Sequence, residues 1–344
     1  MARIFLAVSR PVNPIVHRCV VLRGRFASIL FSFALWRYVC MVGRVLACGS
    51  KSTGEESPCD PGNNVTTFVA YLSRQAAVTR RRVVESLHEA GGGHFGGSLS
   101  VVDILVALYE GIVRLSPDNL MQPDRDRIIL SKGHAAIALY AVLAARKIVP
   151  LDSLRKYGRF GAQVEGHPDM TATRGVDFST GSLGQGIAIG AGMALALRET
   201  RAHVWVIVGD GECQEGEIWE AALLAARYRL SNLHVIVDCN GAQEFGWKHR
   251  PDLDSTPVPQ MLEKWRAFGW TVHDVDGHDL ADLLSVFQGM AVERAGERPS
   301  IAVARTRKGR GCALFEGDPE RYHCTNLTSD EYRRAIEEMT WKQR

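Results

Sequence analysis

The 344-residue chain lacks several features that would place it in a specialised class of proteins. Its eight cysteines never form a Cys-X-X-Cys pair, so neither a zinc site nor a disulfide framework is expected, and reduced cytoplasmic thiols are the better interpretation. The apolar stretch from Phe26 to Trp36 is too short to cross a membrane and is followed directly by Arg37. The sequence contains no internal repeat and no low-complexity tract. These absences favour an ordinary globular protein without a membrane partner.

No acidic residue occurs before Glu55. Residues 1–60 carry eight Lys or Arg side chains against Glu55, Glu56 and Asp60, so the remainder is slightly negative, which argues against a nucleic-acid partner. The basic, cysteine-containing leader resembles an organelle presequence and has a weak lipoprotein-like pattern at 45–48. The alternatives are a dispensable extension and a start codon assigned too early. We expect residues 1–60 to lie outside the folded domain and the protein to be cytoplasmic, with organelle targeting as the alternative.

From residue 64 onward, short apolar segments alternate with segments of helical spacing. Strands are predicted at the start of "RIILSKGHAAIALYAVLAARK" and at "VWVIV", "LHVIVD", "TVHDVDG" and "SIAVARTRKGRG", with helices between them. Strands that alternate with helices predict a parallel sheet covered on both faces. We therefore expect one α/β domain over residues 64–335, with a doubly wound, mostly parallel sheet and helices on both faces.

Two polar side chains follow two consecutive predicted strands. The first strand ends in Gly209-Asp210-Gly211 and the second is followed by Asn240. Parallel neighbours would bring Asp210 and Asn240 to the same edge of the sheet, where ligands of such sheets bind. A carboxylate and an amide oxygen suit a hard cation such as Mg²⁺, and the next helix would offer unpaired N–H groups to an anion. The pattern predicts a metal-bound phosphate or diphosphate, although an isolated Gly-Asp-Gly is more often a simple turn.

The motifs around this pair resemble those of the transketolase family. The segment "GDGECQEGEIWEA", followed after one helix by "NLHVIVDCNGAQ", is similar to the thiamine diphosphate motif of these enzymes. Further similar motifs are "GGGHFGGSLSVVDILVALY", "RIILSKGHAAIALYAVL", "EGHPD", "STGSLGQGIAIGAGMALAL" and "RTRKGRGCALFEGDPERYH", in the family's order. The resemblance covers about Val65 to His323. It implies the thiamine diphosphate-binding fold and the transfer of a two-carbon ketol unit from a ketose (phosphate) to an aldose (phosphate), as in the pentose phosphate pathway.

The resemblance also implies a cofactor site. Mg²⁺, or Ca²⁺ or Mn²⁺ in its place, would be held by Asp210, Asn240 and the backbone carbonyl of Ala242, and would hold the diphosphate of thiamine diphosphate. Gly209 would allow a close approach and Gly211 would donate its N–H to the diphosphate. The remaining residues assigned to the cofactor site are His134 at the diphosphate, the turn of Gly181, Ser182 and Leu183 beside the two rings, and Glu215, which matches an acid at the family's dimer interface.

Three further histidines are candidates for catalysis. The resemblance implies that His167 binds the donor ketose near its C1 hydroxyl, and that His94 and His323 handle the proton of the C3 hydroxyl. A histidine suits that work because its pKa lies near neutrality. His278, in "DGHD", is interpreted as structural, capping the next helix. Phe95 and the segment "QEFGW" depart from the commoner family pattern, which bears on donor preference.

The resemblance implies a partner as well. In this family the glutamate that activates the aminopyrimidine lies in a separate pyrimidine-binding domain, and the sequence holds no second α/β domain after the first. We therefore expect a transketolase subunit that is active only with a C-terminal subunit, as an α₂β₂ heterotetramer. The alternatives are a subunit of another thiamine diphosphate enzyme, such as a 2-oxoacid dehydrogenase E1 or a specialised ketol transferase, and a non-catalytic regulatory homologue.

Overall fold

The computed structural model describes residues 65–244, 256–292 and 298–339. Its centre is a five-stranded sheet in the order β1-β2-β3-β5-β4, with every pair of neighbours parallel. The strands are Arg127–Leu130 (β1), Val204–Gly209 (β2), Leu233–Cys239 (β3), Thr271–Asp276 (β4) and Ser300–Arg305 (β5). The predicted parallel α/β fold is confirmed, whereas the basic leader at 1–60 lies outside the described residues.

The helices are distributed along the whole described chain. In order they are Val65–Glu89 (α1), Phe95–Ser100 (α2), Val102–Gly111 (α3), Ala136–Ala145 (α4), Gln185–Ala196 (α5), Gly216–Arg227 (α6), Met261–Ala267 (α7), Leu280–Val292 (α8), Ala313–Gly317 (α9) and Ser329–Glu338 (α10). Within the described ranges, no helix is both long and apolar enough to span a bilayer.

The core consists of two apolar layers, one on each face of the sheet. Successive strand residues point to opposite faces, so Val206 belongs to one layer and Trp205 and Ile207 to the other. Helices α1, α3, α4 and α8 contribute to the layer that contains Trp205, whereas α5, α6 and α7 contribute to the layer of Val206. Because both faces are covered, β2 is buried along its full length and reads as an uninterrupted apolar run.

A buried ion pair fastens the beginning of β1. Asp177, only 8% exposed, accepts hydrogen bonds from Arg125 at 3.1 and 2.5 Å and from the backbone N–H of Ile128 at 2.8 Å. The pair ties the chain just before the turn at Thr180 to the sheet. It therefore fixes where that turn approaches the carboxyl edge.

We expect Asp177→Ala to destabilise the protein by about 3–5 kcal/mol, because it leaves the Arg125 charge and the Ile128 N–H buried without their acceptor. Denaturant unfolding of the two proteins measures the difference. The exposed Asp118 provides the matched control, since Asp118→Ala should change the free energy of unfolding by less than about 0.5 kcal/mol. Equal effects of the two substitutions would contradict this account.

Candidate functional site

The carboxyl edge of the sheet brings Asp210 into contact with the loop after β3. In the parallel register Gly209 pairs with Asp238, so Asp210 and the 240–242 loop leave the sheet at the same edge. One carboxylate oxygen of Asp210 accepts from the N–H of Gly211 at 2.9 Å, and the other accepts from the N–H of Gly241 at 2.6 Å. The predicted adjacency of the two strand ends is therefore present.

The oxygen atoms at this edge suit a hard cation. Asp210 supplies a buried carboxylate, Asn240 an amide oxygen that accepts from the N–H of Ala242 at 3.1 Å, and Ala242 a backbone carbonyl. Among the described residues, no group of three His, Cys, Asp or Glu side chains could hold a metal. A cation would thus depend on amide, carbonyl and ligand oxygens beside one carboxylate. This donor set fits Mg²⁺ with a bound diphosphate.

The carboxyl group of Asp210 is held in an unfavourable environment for its charge. Burial raises its pKa to about 6, and the neighbouring Asp238 carboxylate acts in the same direction. The N–H groups of Gly241 and Gly211 oppose the shift by donating to the ionised form. A cation beside Asp210 would offset the same burial and repulsion.

A buried polar network lies beneath this edge. Asp238 is fully buried and accepts hydrogen bonds from Lys132 Nζ at 2.5 Å, from Ser100 Oγ at 2.6 Å and from the hydroxyl of Thr306. Lys132, 1% exposed, also donates to the carbonyl of Gly97 at 3.0 Å. The sequence reasoning missed this network, although an acid inside the otherwise apolar run "LHVIVDC" was the available signal.

Glu212 is a second residue that the sequence reasoning missed. Its buried carboxylate accepts from Ser131 Oγ at 2.5 Å, from the N–H of Gly184 at 2.9 Å and from the N–H of Gly209 at 3.0 Å. Burial raises the pKa of this carboxyl group. Glu212 thereby connects the ends of β1 and β2 to the turn that begins α5.

The predicted ring-binding turn is exposed at the same edge. A Cβ atom on Gly133 would lie 2.9 Å from the backbone of Thr180 and Gly181, so only glycine at position 133 lets the two turns meet. Gly184 has φ +88° and begins α5 from the left-handed region that favours glycine. Gly181, Ser182 and the apolar Leu183 are all exposed. The turn is therefore open to a ligand or a partner.

Three of the four predicted histidines form a cluster. The ring centroid of His94 lies 5.2 Å from that of His134 and 5.5 Å from that of His323, and the last two are 5.9 Å apart. The ring of His167 lies against the exposed turn, where a Cβ on Gly181 would be 3.0 Å from it. The four side chains come from separate loops that the fold brings to one edge.

The clustered histidines are held in their neutral forms. Burial is the largest cause and lowers the pKa of His94, of His134 and, to about 3, of His323. The positive charges of Lys132 and Lys308 lower all three further, whereas Glu244 opposes the shift at His94. Neutral imidazoles can accept protons or donate hydrogen bonds at neutral pH.

Lys308 connects the histidine cluster to the loop after β3. Its Nζ lies 2.5 Å from Nδ1 of His323 and 3.4 Å from the carbonyl oxygen of Ala242. Burial lowers the pKa of Lys308 to about 8, and the charge of Lys132 acts in the same direction. Lys308 was also missed, although it lies only three residues after Arg305, where β5 ends.

Two other predicted positions lie apart from the cluster. Glu215 is exposed at the first turn of α6, beside Gly184. The prediction that His278 caps α8 is wrong, because the side chain of Asp279 accepts from the first N–H groups of that helix. The His278 ring instead bridges Asp103 and the N–H of Arg307, at 2.7 and 2.8 Å.

Comparison with known proteins gives one consistent family. The model of the transketolase thiamine diphosphate binding domain matches residues 73–344. The chain is 39% identical over 270 residues to the 6-deoxy-6-sulfo-D-fructose transketolase subunit SqwG of a Clostridium species. The matched residues cover 78% of this chain and 96% of the relative. It is 34% identical over 274 residues to an apulose-4-phosphate transketolase subunit of Phocaeicola vulgatus, covering 79% and 95%.

Longer relatives match over part of their length. The transketolase of Pongo abelii is 32% identical over 263 residues, which cover 74% of this chain and 40% of that protein. The solved transketolase of Campylobacter jejuni superposes with a TM-score of 0.70 and 26% identity, covering 78% of this chain and 43% of that structure. The fold therefore agrees with the same family.

We expect Asp210→Asn to stabilise the ligand-free chain at pH 7.5. The folded carboxyl group has a pKa of about 6 against 3.8 for an unperturbed group, so the folded state binds the proton more tightly. Above pH 6 the ionised carboxylate lowers the free energy of unfolding by its full amount. This loss of stability disappears as the pH falls from about 6 to below 4, because the carboxyl group becomes protonated in the folded state first.

Thermal unfolding of both proteins from pH 7.5 to 5 measures this effect. The gain of Asp210→Asn should shrink as the pH falls, and Asp118→Asn, at an exposed site, should show no such trend. A variant that is less stable than the wild type at every pH would contradict the electrostatic account.

Proposed function

The chain belongs to the transketolase family, and on that basis we propose that it transfers a two-carbon ketol unit from a ketose donor to an aldose acceptor as one subunit of a two-subunit enzyme. One observation supports this proposal above the others. Asp210 and the 240–242 loop meet at the edge that also carries the clustered neutral histidines. The residues proposed to bind the cation and diphosphate therefore lie near those proposed to handle the proton.

The cofactor we propose is thiamine diphosphate with Mg²⁺ or another divalent cation. Asp210, Asn240 and the Ala242 carbonyl would hold the cation, and Gly211 and His134 would contact the diphosphate. Gly181, Ser182 and Leu183 would lie beside the rings, with Gly209 giving close backbone approach. When bound, the cofactor supplies the reactive carbon and the electron sink. We expect the cation and cofactor to raise the unfolding temperature of the wild type and to leave that of the Asp210→Asn variant unchanged.

The chain's own residues would bind the sugar and handle its proton. His167, exposed beside Gly181, would donate to or accept from the hydroxyl at C1 of the donor. His94 and His323 would serve the C3 hydroxyl, whose proton must leave when the C2–C3 bond breaks. Burial lowers the pKa of both histidines, so both are uncharged near neutral pH and each has one ring nitrogen with a lone pair and one that carries a hydrogen.

The partner we propose is a subunit that carries the pyrimidine-binding domain and its activating glutamate, in an α₂β₂ assembly. Two relatives named as transketolase subunits are covered over 96% and 95% of their length, whereas the Pongo abelii transketolase is covered over 40%. This contrast supports a second chain. Glu215, exposed at the start of α6, is the residue we assign to the contact between two copies of this subunit.

The substrates we propose are ketose and aldose phosphates or sugars of similar charge. We do not restrict them to the pentose phosphate pathway, because one relative is named for 6-deoxy-6-sulfo-D-fructose and another for apulose-4-phosphate. The location we propose is the cytoplasm. The four described cysteines are free, at positions 213, 239, 312 and 324, which suits a reducing compartment.

We expect the purified chain alone to show no ketol transfer, and the chain mixed with its partner subunit, Mg²⁺ and thiamine diphosphate to show it. A panel of ketose donors and aldose acceptors, assayed with and without each component, is the measurement. The control replaces the partner with an unrelated protein at equal concentration. Full turnover by the lone chain would refute the two-subunit proposal, and no turnover with any donor in the complete mixture would refute ketol transfer.

We expect His167→Ala to lower donor turnover by about tenfold or more while cofactor affinity stays within about twofold, because the ring would contact the donor and not the diphosphate. Steady-state kinetics of the reconstituted enzyme give the first quantity, and calorimetric titration of thiamine diphosphate gives the second. His134→Ala is the matched comparison and should weaken cofactor binding most. The reverse pattern for the two histidines would remove their assigned roles.

A further inference from the structure

Lys308 and His323 are held against the same short backbone segment. A Cβ on Gly96 would lie 2.7 Å from Cγ of Lys308 and 3.1 Å from the carbonyl oxygen of Tyr322, so both neighbours pack closely on this glycine. The N–H of Gly96 donates to that Tyr322 carbonyl at 2.9 Å, and the N–H of Gly309 donates to the Gly96 carbonyl at 3.1 Å. Lys308 therefore directly precedes Gly309, and His323 directly follows Tyr322, and both of these neighbours are hydrogen-bonded to Gly96. Their 2.5 Å contact is a feature of the packed fold.

With Lys308 in its ammonium form, this contact allows one arrangement of protons. A lysine ammonium has three N–H donors and no lone pair, so it can only donate. Its partner atom, Nδ1 of His323, must then accept and cannot carry a hydrogen. A neutral imidazole with an unprotonated Nδ1 carries its hydrogen on Nε2. Among the described residues, Nε2 of His323 forms no hydrogen bond.

We propose that Lys308 is a positioning residue that fixes His323 as the Nε2–H tautomer, so that His323 donates a hydrogen bond to the sugar and His94 alone accepts its proton. This proposal rests on the ketol transfer proposed above and assigns different work to the two histidines that the sequence treats alike. Lys308 acts through His323 and needs no contact with the sugar.

His94 differs from His323 in the hydrogen bonding of its ring nitrogens. Neither ring nitrogen of His94 forms a hydrogen bond with the described residues, so one nitrogen of its neutral ring keeps a free lone pair. Its ring lies 5.5 Å from that of His323, so one sugar hydroxyl could lie between them. His94 can therefore accept a proton from an oxygen to which His323 donates.

The proposed proton transfer balances for cleavage of the donor sugar. The C2–C3 bond breaks and its electron pair stays with the two-carbon fragment that contains C2. The O–H bond at C3 breaks, its proton moves to the ring nitrogen of His94, and its electron pair forms the second C–O bond of the aldehyde. The Nε2–H group of His323 donates to the same oxygen and remains intact throughout the step.

The tautomer is measured directly by ¹⁵N NMR of the full chain labelled at histidine, at pH 7 and without cofactor or partner. The two ring nitrogens of a neutral histidine differ widely in chemical shift according to which one carries the hydrogen. The His323 signals are assigned by their loss in His323→Gln. We expect a protonated Nε2 and an unprotonated Nδ1. A hydrogen on Nδ1 would overturn the proposal.

Two variants of Lys308 test its part in fixing the tautomer. Lys308→Met keeps much of the aliphatic stem and removes the donor, so His323 should become a mixture of tautomers; Lys308→Arg keeps a cationic donor and should retain the Nε2–H form. The unfolding temperature of each variant verifies that it is folded. An unchanged single tautomer in folded Lys308→Met would overturn the role of Lys308.

The different roles of His323 and His94 are tested in the reconstituted enzyme by replacing each histidine with glutamine or asparagine. A glutamine can place an N–H near the position of histidine Nε2, whereas an asparagine places it near Nδ1. We expect His323→Gln to keep at least tenfold more kcat/KM than His323→Asn, and His94→Gln and His94→Asn to be equally impaired, because an amide cannot accept the proton.

The opposite ranking would overturn the assignment: glutamine would then retain more activity than asparagine at position 94, and the two would be equally impaired at position 323.

The NMR result is independent of activity. If the complete mixture transfers no ketol unit while His323 is the Nε2–H tautomer, the proposed function fails and the geometry of the Lys308–His323 pair stands. If ketol transfer occurs and the tautomer is the other one, only the present inference fails.

Discussion

The parallel pairing of β2 with β3 is the constraint on which the candidate site depends. Its register sets Gly209 opposite Asp238, so both strands end at the same level of the sheet. Asp210 can therefore accept a hydrogen bond from Gly241 in the loop after β3, at 2.6 Å. A slip by one residue would turn the Asp238 side chain to the other face and separate it from Lys132. The register thus fixes the positions of the proposed cation ligands and of the buried charges together.

Electrostatic balance is the second property of this edge. Two buried carboxylates, Asp210 and Asp238, lie near two buried ammonium groups, Lys132 and Lys308. Asp238 raises the pKa of Asp210, whereas both lysines lower the pKa of the clustered histidines. This mixture of buried charges suits the cation and anionic cofactor that we propose, and the positive charges help to keep the nearby imidazoles neutral. The same low-dielectric surroundings make each unpaired charge unfavourable, which explains why Asp238 has three hydrogen-bond donors.

The sequence predicted the fold well because its signals are local. The apolar strand runs, their spacing from helical segments and the glycines of the turns are all read within short windows, and the five-stranded parallel sheet agrees with them. Asp210 and Asn240 were identified because each directly follows a strand. Glu212 was missed because its three hydrogen-bond donors, Ser131, Gly184 and Gly209, come from three separate parts of the chain. A single acid shortly after a strand gives no such signal in sequence.

The sequence by itself determined the alternation of strands and helices, the polar residues at the strand ends and the glycines at the tight turns. Only the tertiary structure decided which buried charges pair, because those partners are distant along the chain: Asp238 and Ser100 are 138 positions apart. It also decided that Lys308 meets Nδ1 of His323. The physical reason is that the tautomer of a histidine depends on which ring nitrogen accepts a hydrogen bond, and packing sets the position of the donor atom.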